Sequence, residues 1–204
     1  MVTLYYIDNR NNKKIAKSVE NKFNFKPVLL SLAEARERLP NTEGKAILLW
    51  GDGDYHYLSY FFEIKKEYGC KIGIDAHLDT APAFYLDSRS HFYHSENGNH
   101  DLFVYVPHWR GYSVEYASVK KSSKDYSHKH ISVDMDFVKG FPIATWISGG
   151  SGKMEVLLSL LDKILDEKVM RFDIGGLKED PTKSEFKKAM GMYMEVFELL
   201  AKKF

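Results

Sequence analysis

The chain has 204 residues, of which 44% are hydrophobic and 28% are charged, so it can form one domain with a sizeable core. Lys and Arg number 29 against 28 Asp and Glu, so no charge excess favours nucleic acid or an anionic membrane as a partner. A single cysteine excludes an internal disulfide, and no signal peptide or membrane-spanning run is visible, so we expect a cytoplasmic protein.

The hydrophobic pattern predicts strands that alternate with helices. An α/β protein with a mainly parallel sheet covered on both faces follows from this order, as a single domain over residues 1–204. The predicted strands are Val2–Ile7, Pro27–Leu30, Ala46–Trp50, Ile72–Ile74, Leu102–Val106, Val114–Val119, Ile131–Met135 and Val169–Ile174. The predicted helices are Ala16–Phe23, a segment capped by Ser31 that runs to Arg38, Leu58–Tyr68, Ser151–Glu167 and Ser184–Phe204.

One stretch, Lys71–Ala81, combines a strand pattern with metal-binding residue types. After its apolar residues it carries Asp75, His77 and Asp79 at every second position. Alternate residues of an extended chain point to one side, and this end of a parallel strand is where α/β sheets place their sites. Two carboxylates and an imidazole on one side suit a divalent ion such as manganese, iron or zinc.

Two further strands end in the same residue types. Asp134 and Asp136 alternate with apolar residues at the end of the Ile131–Met135 strand. The strand at Ala46–Trp50 is followed by Asp52, Asp54 and His56, of which the two aspartates are interpreted as caps of the next turn. We expect His56 to be the ligand from this segment, with Asp54 as the alternative.

Together, the three segments resemble the motifs of the ureohydrolase family, which includes arginase, agmatinase and formiminoglutamase. The family carries Gly-Gly-Asp-His, Asp-Ala-His-x-Asp and Ser-x-Asp-x-Asp in this order. The second motif is intact here as DAHLD at 75–79 and the third as SVDMD at 132–136, whereas the first, GDYH at 53–56, has one extra residue. The resemblance implies a shortened and divergent version of the three-layer α/β/α sandwich of the arginases.

The resemblance also implies a centre with two metal ions. Asp75 and Asp134 would bridge the ions, His56 and Asp79 would complete one shell, and His77 and Asp136 would complete the other. Four carboxylates and two imidazoles without a thiolate favour Mn²⁺ over Zn²⁺. A hydroxide held between the two Mn ions would then hydrolyse the C–N bond of a linear guanidine or amidine.

Other site residues follow from the resemblance more loosely. Glu155 has the spacing of a family glutamate that binds the substrate's guanidinium, and its alternative role is a first-turn carboxylate favoured by the helix dipole. Family members place a histidine after the second motif. His91, His94 and His100 all lie in that region, and His94 and His100 are selected as catalytic candidates with Asp79.

Several alternatives remain open. The family's Asp-Pro and Gly-Thr-Gly segments are missing after the third motif, which favours a metal-binding relative without activity. Residues 98–101 read GNHD, which is a metallophosphoesterase signature, but the remaining elements of that signature have the wrong order or spacing. A deacetylase-like amidohydrolase would need a tandem His-His, which the sequence lacks. We expect a small-molecule substrate as partner, and a homo-oligomer stays open.

Overall fold

The computed structural model describes residues 2–64, 69–80, 86, 91–96, 100–108, 111–118, 126–144 and 149–204. Its eight strands form one sheet in the order β2-β1-β3-β8-β7-β4-β5-β6. Neighbouring strands are parallel except β5 and β6, which are antiparallel at the edge. The strands are β1 Val2–Ile7, β2 Phe25–Leu30, β3 Ala46–Gly51, β4 Gly69–Ile74, β5 His100–His108, β6 Gly111–Ser118, β7 His128–Asp134 and β8 Val169–Gly175.

The described part of the chain contains six α-helices, and several of them correct the sequence prediction. They are α1 Arg10–Lys22, α2 Leu32–Arg38, α3 Leu58–Phe61, α4 His91–Glu96, α5 Met154–Ile164 and α6 Lys183–Lys203. The first turn of α1 is polar and shows no helical pattern in the sequence. Its start is fixed by asparagines instead: Asn9 caps the helix, and the Asn12 amide donates to the carbonyls of Ile7 and Leu49. The short α4 lies in a segment for which no helix was predicted.

The capping box predicted at Ser31 is confirmed. Its hydroxyl accepts a hydrogen bond from the Glu34 N–H, and the Glu34 carboxylate accepts one from the Ser31 N–H. Of the helix predicted at Leu58–Tyr68, the structure shows only Leu58–Phe61 as α-helix, and residues 65–68 lie outside the described ranges.

Helices cover the sheet on both faces, so the predicted three-layer α/β/α architecture is confirmed. Buried residues of α1, α5 and α6 pack with the larger apolar cluster, which includes Ile72, Ile131 and Phe172 of the central strands. The opposite face packs against α2, α3 and the Phe92 ring of α4. No helix among the described residues has the length and apolar character needed to cross a bilayer.

The strand order decides where the predicted ligands meet. Strands β3, β8, β7 and β4 are consecutive neighbours in the sheet and run in the same direction. The residues that follow β3, β7 and β4 therefore lie along one short stretch of the sheet's carboxyl edge, although they are far apart in sequence.

Candidate metal centre

Five of the six predicted ligands lie at the end of a strand or in the turn after it. Asp75 comes after the last residue of β4, with His77 and Asp79 in the turn that follows. Asp134 ends β7, and Asp136 lies in the 3-10 turn Met135–Phe137. His56 is the sixth, and it follows a 3-10 turn after β3.

His56 contacts carboxylates from two different strand ends. Its Nδ1 atom lies 3.6 Å from Oδ2 of Asp75, 3.4 Å from Oδ2 of Asp79 and 3.6 Å from Oδ2 of Asp134. The ligand atoms of His56, Asp75 and Asp134 lie within 4.8 Å of one another and form a first group that could hold a divalent ion, and His56 also belongs to such a group with Asp79 and His91.

A second group of potential ligands shares Asp75 with the first. The Nδ1 atom of His77 lies 2.8 Å from Oδ2 of Asp136 and 3.5 Å from Oδ1 of Asp75. Asp75 therefore presents one oxygen to each group, which is what a carboxylate must do to bridge two ions.

Backbone amides hold the carboxylates in this orientation. Oδ1 of Asp75 accepts a hydrogen bond from the His77 N–H, and Oδ1 of Asp134 accepts one from the Asp136 N–H. Oδ1 of Asp136 accepts one from the Ala76 N–H, which ties the β7 turn to the β4 turn. Oδ2 of Asp134 and Oδ2 of Asp136 are left to face a histidine, and Asp75 faces His77 with Oδ1 and His56 with Oδ2.

The centre contains buried polar atoms that make no hydrogen bond. Among the described residues, Nδ1 of His56 and Oδ2 of Asp75 are buried and have no hydrogen bond. Burial and the neighbouring Asp136, Asp79 and Asp134 raise the pKa of Asp75 well above its ordinary value. Divalent cations would satisfy these atoms and offset the repulsion between the carboxylates, so the residues present fit two metal ions.

Comparison with solved structures shows which fold carries this arrangement. A hypothetical agmatinase from Burkholderia thailandensis matches with a TM-score of 0.65 and 13% identity, over 98% of this chain and 85% of that one. Proclavaminate amidino hydrolase from Streptomyces clavuligerus matches with a TM-score of 0.67 and 14% identity, over 98% and 91%. Formimidoylglutamase from Bacillus subtilis matches with a TM-score of 0.67 and 11% identity, over 100% and 88%.

The chain has the ureohydrolase fold. The resemblance first seen in three short motifs thus extends over nearly the whole chain at the level of structure. No protein-family model matches the sequence, and no curated protein matches it either.

One histidine that sequence analysis passed over lies at the centre of this ureohydrolase fold. His91, the first residue of α4, is fully buried, and its Nδ1 atom lies 3.7 Å from Oδ2 of Asp79. Its ring centroid is 4.1 Å from that of His56. The sequence gives no reason to prefer His91 over His94 or His100. His91 reaches Asp79 because it is the first residue of α4.

The two histidines selected instead lie elsewhere. His94 is three residues along α4, where its ring packs edge-on against Tyr60 of α3 at 5.9 Å. The structure corrects the placement of His100, which begins β5 opposite Gly69 at the amino edge of the sheet. Six residues separate this level from Asp75, or about 20 Å of strand, so the structure does not bring His100 to the centre.

The remaining predicted residues also have clear positions. Asp52 caps the turn at Gly53–Tyr55 by accepting from the Asp54 N–H, as expected, and Asp54 is exposed. Glu155 is exposed in the first turn of α5. The preceding loop reaches the centre, because the Gly150 N–H donates to the Asp136 carbonyl. Of the phosphoesterase-like GNHD sequence, His100 and Asp101 lie at the amino edge, and residues 98–99 are outside the described ranges.

Proposed function

We propose that this protein is a metal-dependent hydrolase that cleaves the C–N bond of a linear guanidine or amidine and uses two divalent ions, with Mn²⁺ as the preferred metal. The observation that carries the proposal is the convergence of two His–carboxylate groups that share Asp75. Neighbours with the same fold include proteins named as an agmatinase, an amidino hydrolase and a formimidoylglutamase, and their names supply the substrate class.

His56, Asp75, Asp79 and Asp134 would hold one ion, and Asp75, His77 and Asp136 the other; of the two carboxylates predicted to bridge, Asp75 has an oxygen in both groups and Asp134 in the His56 group alone. When bound, such a pair of ions polarises the substrate and lowers the pKa of water toward neutrality. The side chain of His77 is 40% exposed, whereas Asp75 and Asp136 are buried. The His77 side is therefore the route by which solvent and substrate reach the centre.

His91 replaces His100 as the candidate for proton transfer. It is buried, it lies beside Asp79, and it belongs to a possible ligand group with His56 and Asp79 and not to the group around His77. A buried imidazole at this position can hold a proton for the departing ammonium or amine. His94 stays a candidate from sequence alone, so the two histidines form a natural pair for comparison.

A separate cavity lies near the carboxyl ends of β1 and β3, and none of the predicted metal ligands lines it. Its volume is about 690 Å³, within the usual range for ligand sites. Gly51, Asp52 and Tyr55 line it from the turn that carries His56, and Glu179 and Asp180 line it from the loop after β8. Its carboxylates are accompanied by Arg10, Lys14 and Lys183, so we do not assign this cavity to the substrate.

The decisive experiment is an activity panel with metal-loaded protein. Agmatine, guanidino acids and formimino compounds are incubated with protein and Mn²⁺, and urea, formamide and ammonia are measured. We expect hydrolysis of at least one compound, abolished by chelation or by Asp75→Asn and retained in Asp54→Asn, whose carboxylate is exposed. His91→Asn should reduce kcat far more than His94→Asn.

The other outcomes separate the alternatives. Two bound ions with no activity across the panel would favour a metal-binding protein that has lost its substrate site. Phosphate release from an aryl phosphate, abolished by Asp75→Asn, would favour a phosphoesterase. A single tightly bound zinc would favour a deacetylase-like enzyme.

Glu155 stays a predicted substrate contact. If it binds the substrate's cation, Glu155→Gln raises KM and leaves the number of bound ions unchanged. Glu167→Gln, an exposed carboxylate beyond the other end of α5, is the matched control and should change neither.

A further inference from the structure

A buried carboxylate lies behind His56, on the side away from the predicted ligands. Asp173 of β8 is fully buried and accepts hydrogen bonds from side chains of three other strands or helices. Its Oδ1 atom contacts Nε1 of Trp50 at 2.9 Å and Oγ of Ser132 at 2.7 Å. Its Oδ2 atom contacts Oγ of Ser59 at 2.7 Å and Nε2 of His130 at 2.5 Å.

The protons of this network can be counted. An indole N–H can only donate, so Oδ1 of Asp173 is an acceptor at the Trp50 contact. The pKa of Asp173 is lowered, so its carboxylate is deprotonated, and Ser132 must place its single hydroxyl proton on the same Oδ1 because two oxygens 2.7 Å apart without a proton between them repel; the contact of Ser132 with Oγ of Ser59 is longer, at 3.0 Å.

The other oxygen of Asp173 is occupied as well. His130 and Ser59 both contact Oδ2, which leaves no room for a further donor. Burial alone would raise the pKa of Asp173, but the hydrogen bond and charge of His130 lower it below its ordinary value. Asp173 is therefore an acceptor on both sides.

With its proton committed to Asp173, the Ser132 hydroxyl can only accept at its contact with His56. This contact joins Oγ of Ser132 to Nε2 of His56 at 2.9 Å, so His56 must donate from Nε2. A neutral imidazole carries one N–H, and the lone pair is then on Nδ1. Nδ1 is the atom that faces Asp75, Asp79 and Asp134.

We propose that Asp173 is a positioning residue that fixes the tautomer of His56 through Ser132 and so presents the Nδ1 lone pair of His56 to a metal ion. The inference rests on the proposed function for its purpose, but the tautomer itself is a property of the metal-free protein. Ring orientation is fixed at the same time, because Trp50 stacks on His56 with ring centroids 4.5 Å apart.

The strand register builds this network. Ser132 of β7 pairs with Asp173 of β8, and Leu48 of β3 pairs with Asp173 from the other side. Trp50 is two residues after Leu48 and so points to the same face. A side chain at Gly175 would overlap the Trp50 ring, so this glycine lets the indole lie across β8 and reach Asp173.

The test compares two substitutions of Asp173 with different acceptor chemistry. Asp173→Asn removes the charge, but its amide oxygen can still accept from Trp50 and Ser132, whereas Asp173→Leu removes the acceptor. In ¹⁵N NMR of the metal-free protein, at a pH alkaline enough to leave the ring uncharged, we expect His56 to be the Nε2–H form in wild type and Asp173→Asn. In Asp173→Leu the Ser132 hydroxyl can turn to donate, and Nδ1–H becomes populated.

Metal binding by calorimetry provides the second readout. We expect two Mn²⁺ sites in wild type and Asp173→Asn, and a loss of about 10- to 100-fold in affinity at one site in Asp173→Leu. Ser59→Ala is the matched control, because it removes a hydroxyl that contacts both Asp173 at 2.7 Å and Ser132 at 3.0 Å but keeps the contacts of Ser132 with Asp173 and with His56. It should change neither the tautomer nor the number of ions.

Each contrary result has a definite meaning. Equal losses of Mn²⁺ affinity in Asp173→Asn and Asp173→Leu would show that the charge of Asp173 matters and its acceptor oxygen does not. This result would overturn the proposal. If Asp173→Leu does not fold, Ser132→Ala removes the acceptor for His56 directly and should release the Nε2–H form; an unchanged tautomer there would also overturn it. Absence of metal binding by wild type would refute the proposed function but leave the tautomer measurement valid.

Discussion

The two faces of the central sheet are packed in opposite ways. Where β4, β7 and β8 face α1, α5 and α6, their side chains are aliphatic or aromatic: Ile72, Ile74, Ile131, Val133, Phe172 and Ile174. The residues between them are equally buried, yet they are polar or charged: Lys71, His130, Ser132, Arg171 and Asp173. The same three strands thus present a dry face and a hydrogen-bonded face.

The difference shows what the second face is for. A buried polar group costs free energy unless it is hydrogen-bonded, so an apolar face would be the simpler way to stabilise a sheet. Here the polar residues hold one another: Lys71 with Glu63 at 2.7 Å, and Ser132 and His130 with Asp173. The Asp173 group reaches His56 through Ser132, so this face supports the candidate metal centre as well as the fold.

The largest expected effect comes from breaking the buried ion pair on the polar face. Lys71→Met leaves the Glu63 carboxylate buried without its cation, and we expect the free energy of unfolding to fall by about 3–5 kcal/mol. Ile131→Val on the apolar face should cost only about 0.5–1.5 kcal/mol. Urea unfolding measures both. The double variant Glu63→Gln/Lys71→Met should recover part of the loss, and equal costs for the two faces would contradict the comparison.

A smaller loss of stability is expected from substituting Gly176, which follows β8 and lies against Asp134. Its φ is +101°, and a Cβ atom there would overlap Oδ1 of Asp134. Gly176→Ala should cost about 1–3 kcal/mol in unfolding free energy and should also abolish the rise in Tm on adding Mn²⁺. Gly44→Ala is the matched control, since Gly44 has φ +64° and open space around it. Gly44→Ala should lose stability but keep the rise in Tm on adding Mn²⁺. If Gly176→Ala also keeps this rise, the predicted overlap with Asp134 does not disturb the centre.

The buried histidines should make the polar face sensitive to acid. Burial lowers the pKa of His100 from 6.5 to about 3. The charge of Glu63 opposes this shift, whereas the charges of His130, His128 and Lys71 lower the pKa further. Between these values the unfolded chain binds a proton that the folded chain does not, so stability falls as pH falls from about 6.5 toward 3. The slope from this group is at most about 1.4 kcal/mol per pH unit. His100→Gln should flatten the curve in that window, and an unchanged slope would show that other groups dominate.

The smallest effect is expected from substituting Cys70 on the apolar face. Cys70 packs with the apolar cluster, and burial raises the pKa of its thiol from 9.0 to about 12, so the folded protein holds on the order of a thousandfold less thiolate than an exposed cysteine. We expect a disulfide reagent at neutral pH to react with Cys70 only after unfolding, and Cys70→Ser to leave Mn²⁺ binding unchanged. Rapid reaction with the folded protein would contradict the packing.

Much of this arrangement could be predicted from the sequence. The alternation of strands and helices indicated the three-layer fold, and the ladder of Asp75, His77 and Asp79 indicated the carboxyl end of a strand as the site. Both rest on local periodicity, which a single sequence records directly. The choice between His91, His94 and His100 could not be made, because it depends on where α4 lies relative to β3 and β4.

The sequence by itself determined which residues alternate along each strand, and therefore which side chains share a face. Only the tertiary structure decided that β8 lies between β3 and β7, so that Asp173 can join Trp50 to Ser132 and, through it, to His56. The physical reason is that side-chain periodicity is a property of one strand, whereas strand order depends on how all the helices pack across the sheet.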